Sequence, residues 1–148
     1  GKEWALVTAG SREKANTMTV SWGMLGELWG KDVVTVFVRP QRYTYEFMEK
    51  YDNFTLSFFG SEYRRALSFC GSKSGRDFDK AEKCGLTAFE TGESVAFEEA
   101  KLIIACRKTA FADMDPSKFI APEIEDNYSN GDYHRAYIGE ITGVFKKN

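Results

Sequence analysis

The chain has 148 residues, enough for one ordinary domain with one core, and 43% hydrophobic against 28% charged residues exclude a disordered chain. With 20 Lys and Arg against 22 Asp and Glu the formal net charge is −2, so no general field draws nucleic acid or an anionic membrane, and any anion needs a local cluster. No run approaches the roughly 20 apolar residues of a membrane span, and no charged-then-apolar leader precedes the first strand pattern.

Residues 4–9 (WALVTA) form a short apolar run, and residues 18–24 (MTVSWGM) alternate; both read as strands. Residues 33–38 (VVTVFV) are β-branched and stop short of Pro40, which cannot donate to a sheet ladder. A helix follows over 43–51, where Tyr43, Phe47 and Tyr51 recur at helical spacing. Strand 54–59 puts Phe54, Leu56 and Phe58 on one face, with Thr55 and Ser57 on the other. A second helix is expected over 62–69. A third begins near Asp77, capped by Asp77 or Asp79 and ended by Gly85. Longer strands at 102–111 and 137–145 flank a polar loop over 113–132 that contains Asn130-Gly131. Six strands within one domain, residues 1–148, favour a mainly β barrel with a few short helices over an open sheet.

Familiar catalytic signatures are absent from the sequence. No GxGxxG opens a helix after a strand, and no phosphate loop of the GxxxxGK[ST] type occurs. One histidine, His134, rules out a metal site built on several histidines. Cys70, Cys84 and Cys106 are odd in number and lack CxxC spacing, so neither a disulfide framework nor a zinc site follows, and a reducing cytoplasm is expected. Cys70 and Cys84 flank a polar segment, which raises a redox pair; the commoner use of a free cysteine is a small buried hydrophobe.

Four polar segments punctuate the strands. Asn16-Thr17-Met18-Thr19-Val20-Ser21-Trp22 alternates hydroxyls with an amide and a large ring, as a strand lining a pocket for a flat heterocycle would; an ordinary half-buried strand has the same pattern. Arg39-Pro40-Gln41-Arg42-Tyr43-Thr44 ends a strand and opens a helix, where free N–H groups and Arg42 suit a phosphate, unless both arginines are merely solvated. Residues 71–80 hold Ser74, Gly75 and Lys80 among two further cations, as a phosphate-wrapping loop or a mobile surface turn. Finally, His134 enters the last strand.

In this order, WALVTAG, NTMTVSWG, VRPQRYT, KSGRDFDK with GLT behind it, and the late His with IGE resemble the flavin reductase-like FMN-binding proteins, including the flavoredoxin-type branch. The resemblance implies a six-stranded Greek-key split β-barrel, usually a homodimer, with FMN in a groove at or near the subunit interface. It places Asn16, Thr17, Met18, Thr19 and Ser21 against the isoalloxazine and ribityl chain, and Trp22 close to the rings. Thr44 and Lys80 match positions that hold the phosphate, with Arg42, Ser74 and Gly75 as neighbours, and His134 matches a histidine near the flavin. No metal is implied and no catalytic side chain is assigned, because the cofactor carries the chemistry. The implied activity is hydride transfer from NAD(P)H to flavin N5. Three alternatives stay open: a flavin electron carrier served by a redox-partner protein, an oxidase acting on a pyridoxine-type phosphate, and a non-catalytic split-barrel ligand-binding module.

Overall fold

The computed structural model describes residues 2–92 and 94–147. Its strands are β1 (Ala5–Gly10), β2 (Ala15–Val20), β3 (Gly23–Leu28), β4 (Lys31–Val38), β5 (Asn53–Phe58), β6 (Ala88–Thr91), β7 (Ser94–Phe97), β8 (Leu102–Asp113) and β9 (Arg135–Lys146). Three helices accompany them: α1 (Tyr43–Lys50), α2 (Arg64–Ser72) and α3 (Lys80–Lys83). Seven strands make one antiparallel sheet in the order β2-β1-β5-β8-β9-β4-β3, and β6 pairs with β7 alone.

That order dictates the shape. β2 and β3 stand at opposite edges of the sheet, yet only Ser21 and Trp22 separate them in the chain. Two residues span only about 7–10 Å, so the sheet must curl until its edges nearly meet. The result is a split barrel whose seam is crossed by Ser21 and Trp22.

Two cores share β1. Inside the barrel, Val7, Met18, Val36, Phe54, Leu56 and Tyr137 pack with Phe47 and Met48 of α1. Outside it, Leu6, Phe59, Leu67, Cys70, Phe97 and Ile103 pack beneath α2 and the β6–β7 hairpin. β1 is therefore buried at every position, which is why its sequence is apolar on both faces except at Thr8, whose hydroxyl is bonded to Thr17. β9 crosses the barrel core closely at Gly139, where a Cβ would stand 2.7 Å from the Phe54 ring and 2.8 Å from the Cys106 Cβ.

The strand count differs from the six expected, for two physical reasons. Residues 18–24 are not one strand: the run breaks at the seam, and its second half continues as β3 into a tight turn at Trp29 and Gly30, both at positive φ. The β6–β7 hairpin consists of two four-residue strands, too short to show a period. The helices fall where the sequence places them. α3 begins after Asp79, whose Oδ1 accepts from the Glu82 N–H at 3.0 Å, and the chain leaves it through Gly85 at φ 63°. The 113–132 loop carries two 3-10 turns, Pro116–Lys118 and Pro122–Asn127, each opened by its proline. Among the described residues no helix is long and apolar enough to cross a membrane.

Candidate functional site

The seam holds a groove of about 190 Å³. The end of β2 and the crossing link supply Met18, Thr19, Val20, Ser21 and Trp22; β4 and the residues after it supply Phe37, Arg39 and Arg42; His134 comes from the approach to β9. Thus six residues singled out in the sequence, Met18, Thr19, Ser21, Trp22, Arg42 and His134, meet in one place.

One wall is aromatic. Trp22, half exposed, meets His134 edge-on with ring centroids 5.4 Å apart, and Phe37 meets the same imidazole at 6.3 Å. His134 Nδ1 lies 2.8 Å from the Tyr128 hydroxyl. Arg39 donates to Asp132 at 2.6 Å and to the Asn127 carbonyl at 2.9 Å, and Gln41 donates to the same Asp132 carboxylate at 2.6 Å. These bonds fasten the 113–132 loop to the end of β4 and so set the imidazole in the wall. Burial first, then the neighbouring Arg39 charge, holds the His134 pKa down at about 4, so the ring is neutral at neutral pH.

A second wall is the free edge of β2. The Thr17 carbonyl points away from β1 and accepts from Lys80 Nζ at 2.8 Å; by the two-residue alternation of a strand, the Thr19 peptide groups turn the same way. The Thr19 hydroxyl donates to the Leu67 carbonyl at 2.5 Å, tying this edge to α2.

The cations gather at the C-terminal end of α2. Lys80 Nζ donates to the Cys70 carbonyl at 2.9 Å, and Arg42 Nη2 reaches the same oxygen at 3.4 Å. Lys80 is only 4% exposed. Its burial, and secondarily Arg42, lower its pKa to about 8; burial and Arg39 lower that of Arg42. Carbonyl dipoles alone compensate these two cations incompletely, so the pair suits an anion.

The other sequence candidates lie beside the groove. Asn16 Nδ2 donates to Thr44 Oγ1 at 2.8 Å, and both side chains are buried. The Thr17 hydroxyl donates to the Val7 carbonyl at 3.1 Å and accepts from Thr8 at 2.9 Å. Asn16, Thr17, Gly75 and Lys80 line a neighbouring cleft of about 370 Å³. Ser74 Oγ accepts from the Arg76 N–H at 3.2 Å and shapes the turn that lays Gly75 against Asn16. Phe37 and Arg39 line the groove without having been singled out as ligand contacts. The only sequence signal for Arg39 was its place in the RPQR segment, and its partner Asp132 lies 93 residues away.

An apolar hollow of about 220 Å³ adjoins Trp22, lined by Val20, Met24, Leu25, Val34, Leu56 and Ile104 among others. Beside it, the edge strand β3 and the following turn expose Met24 (61%), Leu25 (70%) and Trp29 (62%).

Comparison with known proteins agrees with this architecture. The sequence model of the family described as "Flavin reductase like domain" matches residues 2–147. Among solved structures, flavoredoxin from Methanosarcina acetivorans is similar at TM-score 0.77 and 20% identity, over 99% of this chain and 69% of that one. The FMN-binding protein from Thermus thermophilus with bound p-hydroxybenzaldehyde is similar at TM-score 0.77 and 20% identity, over 99% and 72%. A Shewanella frigidimarina protein described as having a split barrel domain is similar at TM-score 0.77 and 15% identity, over 99% and 67%.

Proposed function

The chain belongs to the flavin reductase-like domain family, and from that premise we propose that it binds FMN in the seam groove and acts as an NAD(P)H-dependent flavin reductase, residues 1–148 forming one domain. The observation that carries the reading is the meeting of an aromatic wall, Trp22 and His134, with half-buried Arg42 in the seam groove, while buried Lys80, bonded to the same Cys70 carbonyl as Arg42, lines the cleft beside it. Such a donor set fits a flat heterocycle bearing one terminal phosphate. Relatives of the same fold include proteins named for FMN binding and as flavoredoxins.

When bound, FMN supplies hydride acceptance, with NAD(P)H as the donor substrate. This chain's own residues bind, orient and exclude water. Arg42 and Lys80 offset the phosphate charge, and the Thr19 peptide groups offer a donor and an acceptor to a pyrimidine-like edge. Trp22 and Phe37 screen the ring plane from water. Neutral His134, its Nδ1 engaged by Tyr128, keeps Nε2 for the groove and adds no charge there. No side-chain nucleophile takes part.

The active form in this reading is a homodimer. The support is the edge strand β3, exposed at every position with Met24 and Leu25 bare, which adjoins the groove through Trp22 and would be covered by a second copy. The free thiols Cys70, Cys84 and Cys106 suit a reducing cytoplasm. The likeness to flavoredoxin favours a second reading, an electron carrier fed by a partner protein.

The test is an absorption spectrum of protein reconstituted with FMN, followed by NADH and NADPH oxidation with added FMN. Flavin binding with rapid turnover supports the reductase. Binding without turnover moves the protein to the carrier reading, and absence of binding removes both.

A further inference from the structure

Cys70 in α2 and Cys84 at the end of α3 bracket the segment that carries Ser74, Gly75 and Lys80. Their sulfurs stand 3.8 Å apart, and both are free thiols. A disulfide needs about 2 Å between sulfurs, so closure requires a displacement of less than about 2 Å. The Cys84 side chain can supply much of it, because it hangs from the end of a helix of four residues, where its thiol also reaches the Ala66 carbonyl at 3.7 Å. The two thiols are unequal in access. Cys70 is fully buried in the outer core, while Cys84 is partly exposed. Lys80 links this pair to the cleft beside the groove, its Nζ bonded to the carbonyl of Cys70 itself.

We propose that Cys70 and Cys84 are a redox-responsive dithiol whose closure to a disulfide ties off the Lys80 segment and slows release of the bound flavin. The first half of this proposal needs no ligand; the second rests on the FMN reading above. Oxidation proceeds by exchange with a small-molecule disulfide. The Cys84 thiolate attacks one sulfur of the reagent, whose S–S bond breaks and expels one thiolate. Cys70 then gives up its proton and attacks Cys84 Sγ, expelling the second thiolate as the internal bond forms. The protein dithiol loses two electrons and two protons, and the reagent becomes two thiols. Burial, and next to it Cys84, pushes the Cys70 thiol up to about 12, so the second step is the slow one; the Lys80 charge partly offsets this. Closing the ring fixes the loop before ligand arrives, so less ordering is charged against binding.

The experiment treats wild type, Cys84→Ser and Cys106→Ser with oxidised glutathione, removes it, and counts thiols by alkylation in denaturant with mass measurement. Wild type is expected to fall from three alkylatable thiols to one, losing two hydrogens in mass and regaining both thiols with dithiothreitol. Cys106→Ser should form the same bridge, and Cys84→Ser should form none. The oxidised wild type should melt roughly 5–10 °C higher. FMN release, followed by flavin fluorescence, should slow about three- to tenfold on oxidation. Three persistent thiols, or a bridge through Cys106, overturn the dithiol. A bridge with unchanged FMN release overturns the clamp. If FMN binds neither form, the flavin reading fails and the clamp with it, while the thiol count still decides the dithiol.

Discussion

The amide of Asn16 donates to the hydroxyl of Thr44 at 2.8 Å, joining β2 to the first turn of α1 across 28 residues of sequence. On its other side, the Asn16 Oδ1 faces Gly75 so closely that a Cβ there would stand 1.9 Å from it. The three residues form a stack that sets β2, the start of α1 and the 71–80 segment relative to one another. They position the groove from behind it.

Gly75→Ala is the sharpest probe of that stack. The new methyl must displace either the Asn16 amide, breaking a buried hydrogen bond worth about 1 kcal/mol, or the loop that leads to Lys80. FMN affinity should fall about tenfold with the far-ultraviolet circular dichroism unchanged. Unaltered affinity in a fluorescence titration would show that this contact does not govern the site.

Lys80 makes a prediction that pH can test. Its pKa of about 8 lies below the ordinary 10.5, so the free protein loses this charge as pH rises past 8. FMN affinity should weaken above pH 8, while riboflavin, which lacks the phosphate, should bind almost independently of pH. Lys80→Ala should cost FMN roughly ten- to hundredfold and leave riboflavin nearly unchanged. Stability runs the opposite way: the unfolded chain holds the proton more tightly, so Lys80 favours the folded apoprotein increasingly from pH 8 to 10.5. A titration in which both flavins respond alike would place Lys80 outside the phosphate site.

His134 is the chain's one histidine, so its imidazole resonance is unambiguous. With the pKa at about 4 instead of 6.5, the ring should stay neutral down to about pH 5 by nuclear magnetic resonance. A depressed histidine contributes stability that is complete above pH 6.5 and lost as pH falls toward 4, up to about 3 kcal/mol. His134→Gln should remove that part of the acid dependence, measured as the difference between urea midpoints at pH 7 and pH 4.5. An ordinary titration near 6.5 would contradict the buried placement beside Arg39.

Leu25→Glu tests the assembly. The side chain is 70% exposed in the protomer, so folding should survive, whereas a charge in an apolar subunit contact should dissociate it. Sedimentation at micromolar concentration should show wild-type dimer and mutant monomer. A mutant that stays dimeric would move the interface away from β3.

Local chemistry made much of the fold legible. The β-branched run of β4, the alternation in β5, the aromatic spacing in α1 and the Asp79 and Gly85 ends of α3 all depend on neighbours within a turn or two, and the structure keeps each of them. The ordered motifs likewise located the groove residues from Met18 to Trp22. By contrast, the break between β2 and β3 has no local signal, because Ser21 and Trp22 continue the alternation and leave it only since the chain must cross the seam. The same holds for which hydroxyls and amides face a ligand. Asn16 and Thr44 satisfy each other, Thr17 turns to Val7, and Arg39 reaches Asp132 from 93 residues away. Such partners are chosen by barrel closure, which brings distant polar groups into a low-dielectric space where each must find a bond. The sequence by itself determined the elements and the donor types; the closed sheet decided which donors spend themselves on the protein and which remain turned to the groove.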